Sequence, residues 1–179
     1  MRQKLMAAGS GGQGVMVLGK LLATAAMRAG RQVTYMPAYG AEVRGGTANC
    51  TVIISDEPVA SPVSETPDAA VIFNEPSLAR FLPRLAPGAS LVLNSSLVSG
   101  PLDRADLGLV VEVPATEIAA GLGQPRAANM VALGAHVAAT GVVPLDDVIA
   151  ALAEVIPARH HALLGANEEA LRRGADSAR

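Results

Sequence analysis

The stretch Leu5-Met6-Ala7-Ala8-Gly9-Ser10-Gly11-Gly12-Gln13-Gly14-Val15 decides the fold. A short apolar run enters it, four glycines fall within six residues, and an amphipathic segment leaves it. Lys4–Ala8 reads as a buried strand, and residues 14–29 as a helix with Val15, Leu18, Leu22 and Ala25 at helical spacing. Gly30 follows as the residue past its end. Gly9, Gly11 and Gly14 fit the spacing G-x-G-x-x-G, in which glycines permit a tight turn, a close backbone approach and close helix-on-strand packing. The free N–H groups at the start of such a helix face whatever lies in front of it, commonly an anion. The occupant of this loop could be a dinucleotide, another group or a neighbouring subunit.

Working outward, Gln32–Tyr35 reads as a second strand, which gives the opening of a Rossmann-like, doubly wound, mostly parallel α/β sheet with helices on both faces. A dinucleotide site wants an acid at the end of that strand to hold the ribose hydroxyls. The strand ends instead in Tyr35-Met36-Pro37-Ala38, and the nearest acid, Glu42, lies in a second Gly-rich loop. A stand-alone NAD(P)-binding protein is therefore the alternative reading rather than the leading one. The second loop, Ala38-Tyr39-Gly40-Ala41-Glu42-Val43-Arg44-Gly45-Gly46-Thr47, is either a surface turn with a Glu42–Arg44 pair or a contact site.

Thr47–Ser55 alternates, with Ala48, Cys50, Val52 and Ile54 on one face, and reads as a half-exposed strand, antiparallel or at an edge. Strands follow at Ala69–Phe73, Ser90–Leu93 and Leu109–Val113. Helices are expected at residues 75–85, 115–120, 127–140 and 144–155, with an exposed helix at 167–173 and fraying from Gly174 onward. Residues 121–126 read as a loop, and Gly134 allows its helix a close neighbour. The chain is expected to form one domain over residues 1–179.

Half of the residues are hydrophobic, but the aromatic ones are only Tyr35, Tyr39, Phe73 and Phe81, so the core is aliphatic and rich in alanine. A net charge of −2 gives no basic footprint for nucleic acid. No run reaches the roughly 18 apolar residues of a membrane span, and the apolar run before Gly9 is too short for a signal peptide. A cytoplasmic location is expected.

The single Cys50 excludes an internal disulfide and any multi-cysteine metal site, and it reads as a small core residue. His136 reads as a packed or solvated helix residue. Adjacent side chains such as His160-His161 and Asp146-Asp147 diverge on a helix and do not pair as metal ligands. There is no Gly-x-Ser-x-Gly, no Walker loop and no Gly-Asp-Gly followed by Asn-Asn, the usual thiamine diphosphate–Mg²⁺ signature. The chain reads as a binding domain or as one part of a larger enzyme, with no catalytic residue of its own.

Three stretches, taken in order, resemble one family. They are Gly9-Ser10-Gly11-Gly12-Gln13-Gly14-Val15; Tyr39-Gly40-Ala41-Glu42-Val43-Arg44-Gly45-Gly46 running into Val52-Ile53-Ile54-Ser55; and Ala127-Ala128-Asn129-Met130-Val131-Ala132-Leu133-Gly134-Ala135. The family is the gamma subunit, or gamma domain, of the 2-oxoacid:ferredoxin oxidoreductases. The resemblance implies a heteromeric enzyme that decarboxylates a 2-oxoacid oxidatively with coenzyme A, giving acyl-CoA, CO₂ and reduced ferredoxin. Thiamine diphosphate, Mg²⁺ and [4Fe-4S] clusters would sit on partner alpha, beta and ferredoxin-like delta subunits, with none bound by this chain alone. The Arg-Gly-Gly form of the second loop resembles 2-oxoglutarate or branched-chain enzymes; 2-oxoglutarate is the leading expectation, and the indolepyruvate enzyme stays open. The candidate ligand or subunit-contact residues are Gly9, Gly11, Gly12, Gln13, Gly14, Tyr39, Gly40, Glu42, Arg44, Gly45, Gly46 and Asn129. Arg44 would face a carboxylate, a phosphate or a partner's acid, or pair with Glu42. Isolated from its partners, the chain would be expected to dimerise or to expose apolar surface.

Overall fold

A computed structural model describes residues 1–38 and 47–178. Its strands are β1 (Arg2–Ser10), β2 (Gln32–Ala38), β3 (Thr47–Ser55), β4 (Ala69–Ile72), β5 (Ser90–Asn94) and β6 (Leu109–Val113). Its helices are α1 (Val15–Arg28), α2 (Glu75–Phe81), α3 (Ala115–Gly121), α4 (Ala128–Thr140), α5 (Leu145–Val155) and α6 (Leu164–Ser177). The strands form one sheet in the order β2-β3-β1-β4-β5-β6. β1, β4, β5 and β6 run parallel, while β3 is antiparallel to both its neighbours, β1 and β2. The expected mostly parallel, doubly wound sheet is therefore present, with one reversed strand set into it.

That reversed strand corrects two expectations. β3 is antiparallel, but it is neither at the edge nor half-exposed: Thr51, Ile53 and Ser55 on its second face are buried. It also pairs with β1 over the whole span from Arg2↔Ser55 to Ser10↔Thr47, which extends β1 beyond the five residues its apolar run suggests. β2 continues through Pro37 because it lies at the sheet edge, where a missing N–H need not break a ladder.

Alternate residues of the strands serve two cores. Leu5, Ala7, Val52, Val71 and Val92 face α1, α3, α4 and α5, whereas Met6, Ala8, Ile72 and Leu91 pack with Phe81 and Leu85 of the α2 region. α2 is shorter than expected and tightens into a 3₁₀ turn at Leu82–Arg84, because Pro83 supplies no N–H for the next helical bond. A second 3₁₀ turn, Pro125–Ala127, occupies the end of the expected loop, and His160 and His161 lie in a third, Ala158–Leu163, rather than on an α-helix.

α6 departs furthest from expectation. It runs to Ser177, and Ala170, Leu171, Gly174 and Ala175 are buried, so it is neither exposed nor frayed at Gly174. It packs chiefly on α4 through glycine notches. A Cβ on Gly134 would stand 1.9 Å from Leu171 O, and one on Gly174 would stand 1.8 Å from Val131 O. Its buried face is built largely of small residues and its other face carries Glu168, Glu169, Arg172 and Arg173, so the segment is polar on the whole and reads as exposed. No helix among the described residues is long and apolar enough to cross a membrane.

Candidate functional site

The order of the sheet places a topological switch between β1 and β4, and ligands of open α/β sheets bind at the carboxyl ends of the strands beside such a point. The first Gly loop lies there. β1 ends at Ser10, and α1 starts at Val15 with Gly14 as N-cap in the left-handed region (φ 73°) and no side-chain cap. Gly12 is also left-handed (φ 93°), which favours glycine at both positions.

The other glycines of the motif are small for reasons of contact. A Cβ on Gly9 would meet Gln13 Oε1 at 2.6 Å and Phe73 Cβ at 3.0 Å. One on Gly14 would meet Asn129 Nδ2 at 2.4 Å. Asn129 is buried at the start of α4 and donates from Nδ2 to Gly14 O at 3.1 Å. The structure thus brings Gly9, Gly11, Gly12, Gln13, Gly14 and Asn129 together at one rim of the sheet.

Tyr39, Gly40, Glu42, Arg44, Gly45 and Gly46 lie outside the described residues. Their flanks are placed: β2 ends at Ala38 and β3 begins at Thr47, which is opposite Ser10 in the register with β1. A cleft of about 330 Å³ opens between Ser10–Gly14 and the flanking Ala38 and Ala48. Arg80 Nη1 donates to Thr47 Oγ1 at 2.9 Å and braces that flank.

Four residues at this rim were not singled out by sequence reasoning. Asn74 caps α2, its Oδ1 accepting from Ser77 N at 3.0 Å, and its Nδ2 donates to Ser10 Oγ (2.6 Å) and Gln13 Oε1 (3.2 Å). Asn94, one strand over, accepts from Thr116 N (3.3 Å) and donates to Thr116 Oγ1 (3.0 Å). Arg126 lines the clefts on the far side of the Gly loop. An available signal for Asn74 was the sequence Asn74-Glu75-Pro76, an N-cap residue ahead of a proline in the first turn. Asn94 and Thr116 are linked only by the fold.

Two features weigh against a dinucleotide. With β3 inserted, the end of β2 stands two strand spacings from β1, about 10 Å, so it is not the neighbour from which an acid could reach a ribose. The Gln13 side chain also folds over the loop and accepts the Ser10 N–H at 2.6 Å.

Cys50 and His136 are structural. Cys50 is fully buried beside Gly19, and burial pushes its thiol up to about 12. Such a buried thiol is part of the packing rather than a reactive group. His136 is packed rather than solvated: burial holds its imidazole down to about 4, and its Nε2 meets Gln3 Oε1 at 3.1 Å. Among the described residues no group of His, Cys, Asp or Glu could hold a metal ion. The described residues therefore offer no donor set that fits an iron–sulfur cluster or a metal-bound diphosphate.

Relatives agree in kind. The chain is 46% identical over 142 residues, 78% of its length, to the ketoisovalerate oxidoreductase subunit VorA of Methanothermobacter thermautotrophicus, and it spans 28% of that relative's length. It is 32% identical over 166 residues to the 2-oxoglutarate synthase subunit KorC of Methanothermobacter marburgensis, covering 88% of each chain. Among solved structures it is similar to the gamma subunit of a keto/oxoacid ferredoxin oxidoreductase from Geobacter sulfurreducens, with a TM-score of 0.85, 29% identity and 98% of both chains covered. It is also similar to a 2-oxoglutarate:ferredoxin oxidoreductase from Magnetococcus marinus with 2-oxoglutarate, coenzyme A and succinyl-CoA bound, with a TM-score of 0.88 and 25% identity. That match covers 99% of this chain and 31% of the other. The family model for pyruvate ferredoxin/flavodoxin oxidoreductase matches residues 4–177, and the chain belongs to that family, with the build of its gamma subunits.

Proposed function

We propose that this chain acts as the gamma subunit of a heteromeric 2-oxoacid:ferredoxin oxidoreductase in the cytoplasm. The complex converts a 2-oxoacid and coenzyme A to acyl-CoA and CO₂ and passes the electrons to ferredoxin. Thiamine diphosphate, Mg²⁺ and [4Fe-4S] clusters reside on alpha, beta and delta partners. The observation that carries the reading is the rim at the switch point, where the Gly loop, the flanks of the second loop and Asn129 converge. That rim suits binding and orienting a substrate against a partner. Gly9, Gly11, Gly12, Gln13, Gly14 and Asn129 contribute to the contact, and Tyr39, Gly40, Glu42, Arg44, Gly45 and Gly46 are assigned to the same function on their sequence.

For the substrate, 46% identity to a ketoisovalerate subunit favours a branched-chain 2-oxoacid, and 32% identity to a 2-oxoglutarate subunit supports the second choice. The test is to assemble the chain with its alpha and beta partners and compare kcat/KM for 3-methyl-2-oxobutanoate and 2-oxoglutarate. A higher value for 2-oxoglutarate would reverse the order. In the same complex Arg44→Ala should raise KM for coenzyme A or the 2-oxoacid. Unchanged constants in an intact complex would leave Arg44 a partner of Glu42.

A further inference from the structure

A cleft of about 190 Å³ at the switch point lies between the Gly loop and the starts of α3 and α4. Gly12, Gln13, Phe73, Leu97, Thr116 and Arg126 line it. Its polarity is set by a chain of forced hydrogen bonds. The Ser77 N–H fixes Asn74 Oδ1, so Asn74 Nδ2 faces Ser10 Oγ and Gln13 Oε1. The Ser10 N–H also donates to Gln13 Oε1. A main-chain N–H cannot accept, so the oxygen of Gln13 faces the protein and its amino group is left over.

The same logic fixes Thr116. Its N–H holds Asn94 Oδ1, which turns Asn94 Nδ2 onto Thr116 Oγ1. The hydroxyl accepts there and keeps its proton to donate elsewhere. Arg126 is exposed and has neither an ion pair nor a hydrogen bond among the described residues. Three side chains therefore bring donors to one cleft, and neither Gln13 nor Arg126 has an acceptor to spare.

We propose that this cleft is an oxyanion site, taking a carboxylate or phosphate group of a small-molecule substrate on the Gln13 amino group, the Thr116 hydroxyl and the Arg126 guanidinium. Charge-assisted bonds from a guanidinium beside a fixed amide suit such a group. The identity of the substrate rests on the function proposed above; the donor set does not.

The full chain, ¹⁵N-labelled, is titrated with sodium phosphate, sodium acetate and, as control at matched ionic strength, sodium chloride. The Gln13 side-chain amide resonances should shift saturably with phosphate or acetate but not with chloride. Saturation by phosphate indicates a phosphorylated substrate, and saturation by acetate indicates the carboxylate of an oxo acid. Arg126→Gln should weaken this binding at least about tenfold. Gln13→Glu keeps both bonds received by the side-chain oxygen, so the Gly9–Gly14 amide resonances should hold their positions while the binding disappears. A chloride-like response, or equal affinity in Arg126→Gln, overturns the site. In the assembled complex, inactivity toward every 2-oxoacid refutes the proposed function and leaves the anion titration standing. An active Arg126→Gln complex with unchanged KM for coenzyme A and the 2-oxoacid refutes the site alone. Loss of assembly in Arg126→Gln without any anion titration assigns Arg126 to a partner's acidic side chain and also overturns it.

Discussion

Replacing Gly174 by alanine should destabilise the chain, although alanine is the better helix former. The added Cβ would lie 1.8 Å from Val131 O, where real Cβ contacts are essentially never under 3.0 Å. The obstacle is main chain on α4, so no rotamer change relieves it, and the two helices must part by about 1 Å in a close-packed interior. Overpacking of this kind costs about 3 kcal/mol at the upper end of the usual range. Against it stands about 1 kcal/mol of helix propensity. The net loss of about 2 kcal/mol corresponds to a fall in Tm of about 4–8 °C for a chain of this size. Gly165→Ala in the same helix is the control: nothing lies within 4 Å of its Cβ, so the propensity gain stands alone and Tm should rise. Gly134→Ala should behave like Gly174→Ala, since its Cβ would lie 1.9 Å from Leu171 O. The double variant should cost less than the sum, because one separation of the helices relieves both clashes. Thermal unfolding followed by circular dichroism measures all four. An unchanged or higher Tm for Gly174→Ala would refute the close-packing account.

Two further outcomes follow from buried polar groups at opposite ends of the sheet. His136 is neutral in the folded chain down to about pH 4, while the unfolded chain protonates it near 6.5. Between those values the unfolded state binds more protons, so stability falls with acidification by about 1.4 kcal/mol per pH unit from this residue. Denaturant unfolding across that window should show a shallower slope for His136→Met, and identical slopes would remove His136 as the cause. At the Gly loop, Asn129→Ala should cost about 0.5–1.5 kcal/mol, as the bond to Gly14 O is lost while Leu18 N still donates to that oxygen. Gly14→Ala should cost less in that background than in the parent, because the clashes with Asn129 Nδ2 (2.4 Å) and Cγ (2.8 Å) are gone, leaving the left-handed backbone penalty and a 3.2 Å contact with the Cβ of residue 129. Equal costs in the two backgrounds would mean that Asn129 does not confine Gly14.

The elements that local chemistry specifies were legible beforehand. The apolar run ahead of the Gly loop, the spacing of Val15, Leu18 and Leu22, and the alternation in Thr47–Ser55 each declare an element through neighbours a few residues apart. The Gly loop and Asn129 were named as candidates from sequence, and the fold brings them within one hydrogen bond across a separation of 115 residues. Asn74 and Arg126 were missed because a capping residue and an exposed arginine look ordinary until a cleft forms around them.

Sequence alone thus determined which segments are strands and helices, where the chain turns at glycine, and that the core is aliphatic. Only the tertiary structure decided that β3 enters between β1 and β2, that α6 is buried against α4, and that Gln13 is locked donor-outward by Asn74. The physical reason is the range of the forces involved. Periodicity and backbone preference act over one or two turns of chain. Strand insertion, glycine-notched helix contacts and amide orientation depend on groups far apart in sequence, such as the 61 residues between Gln13 and Asn74, and have no local signature.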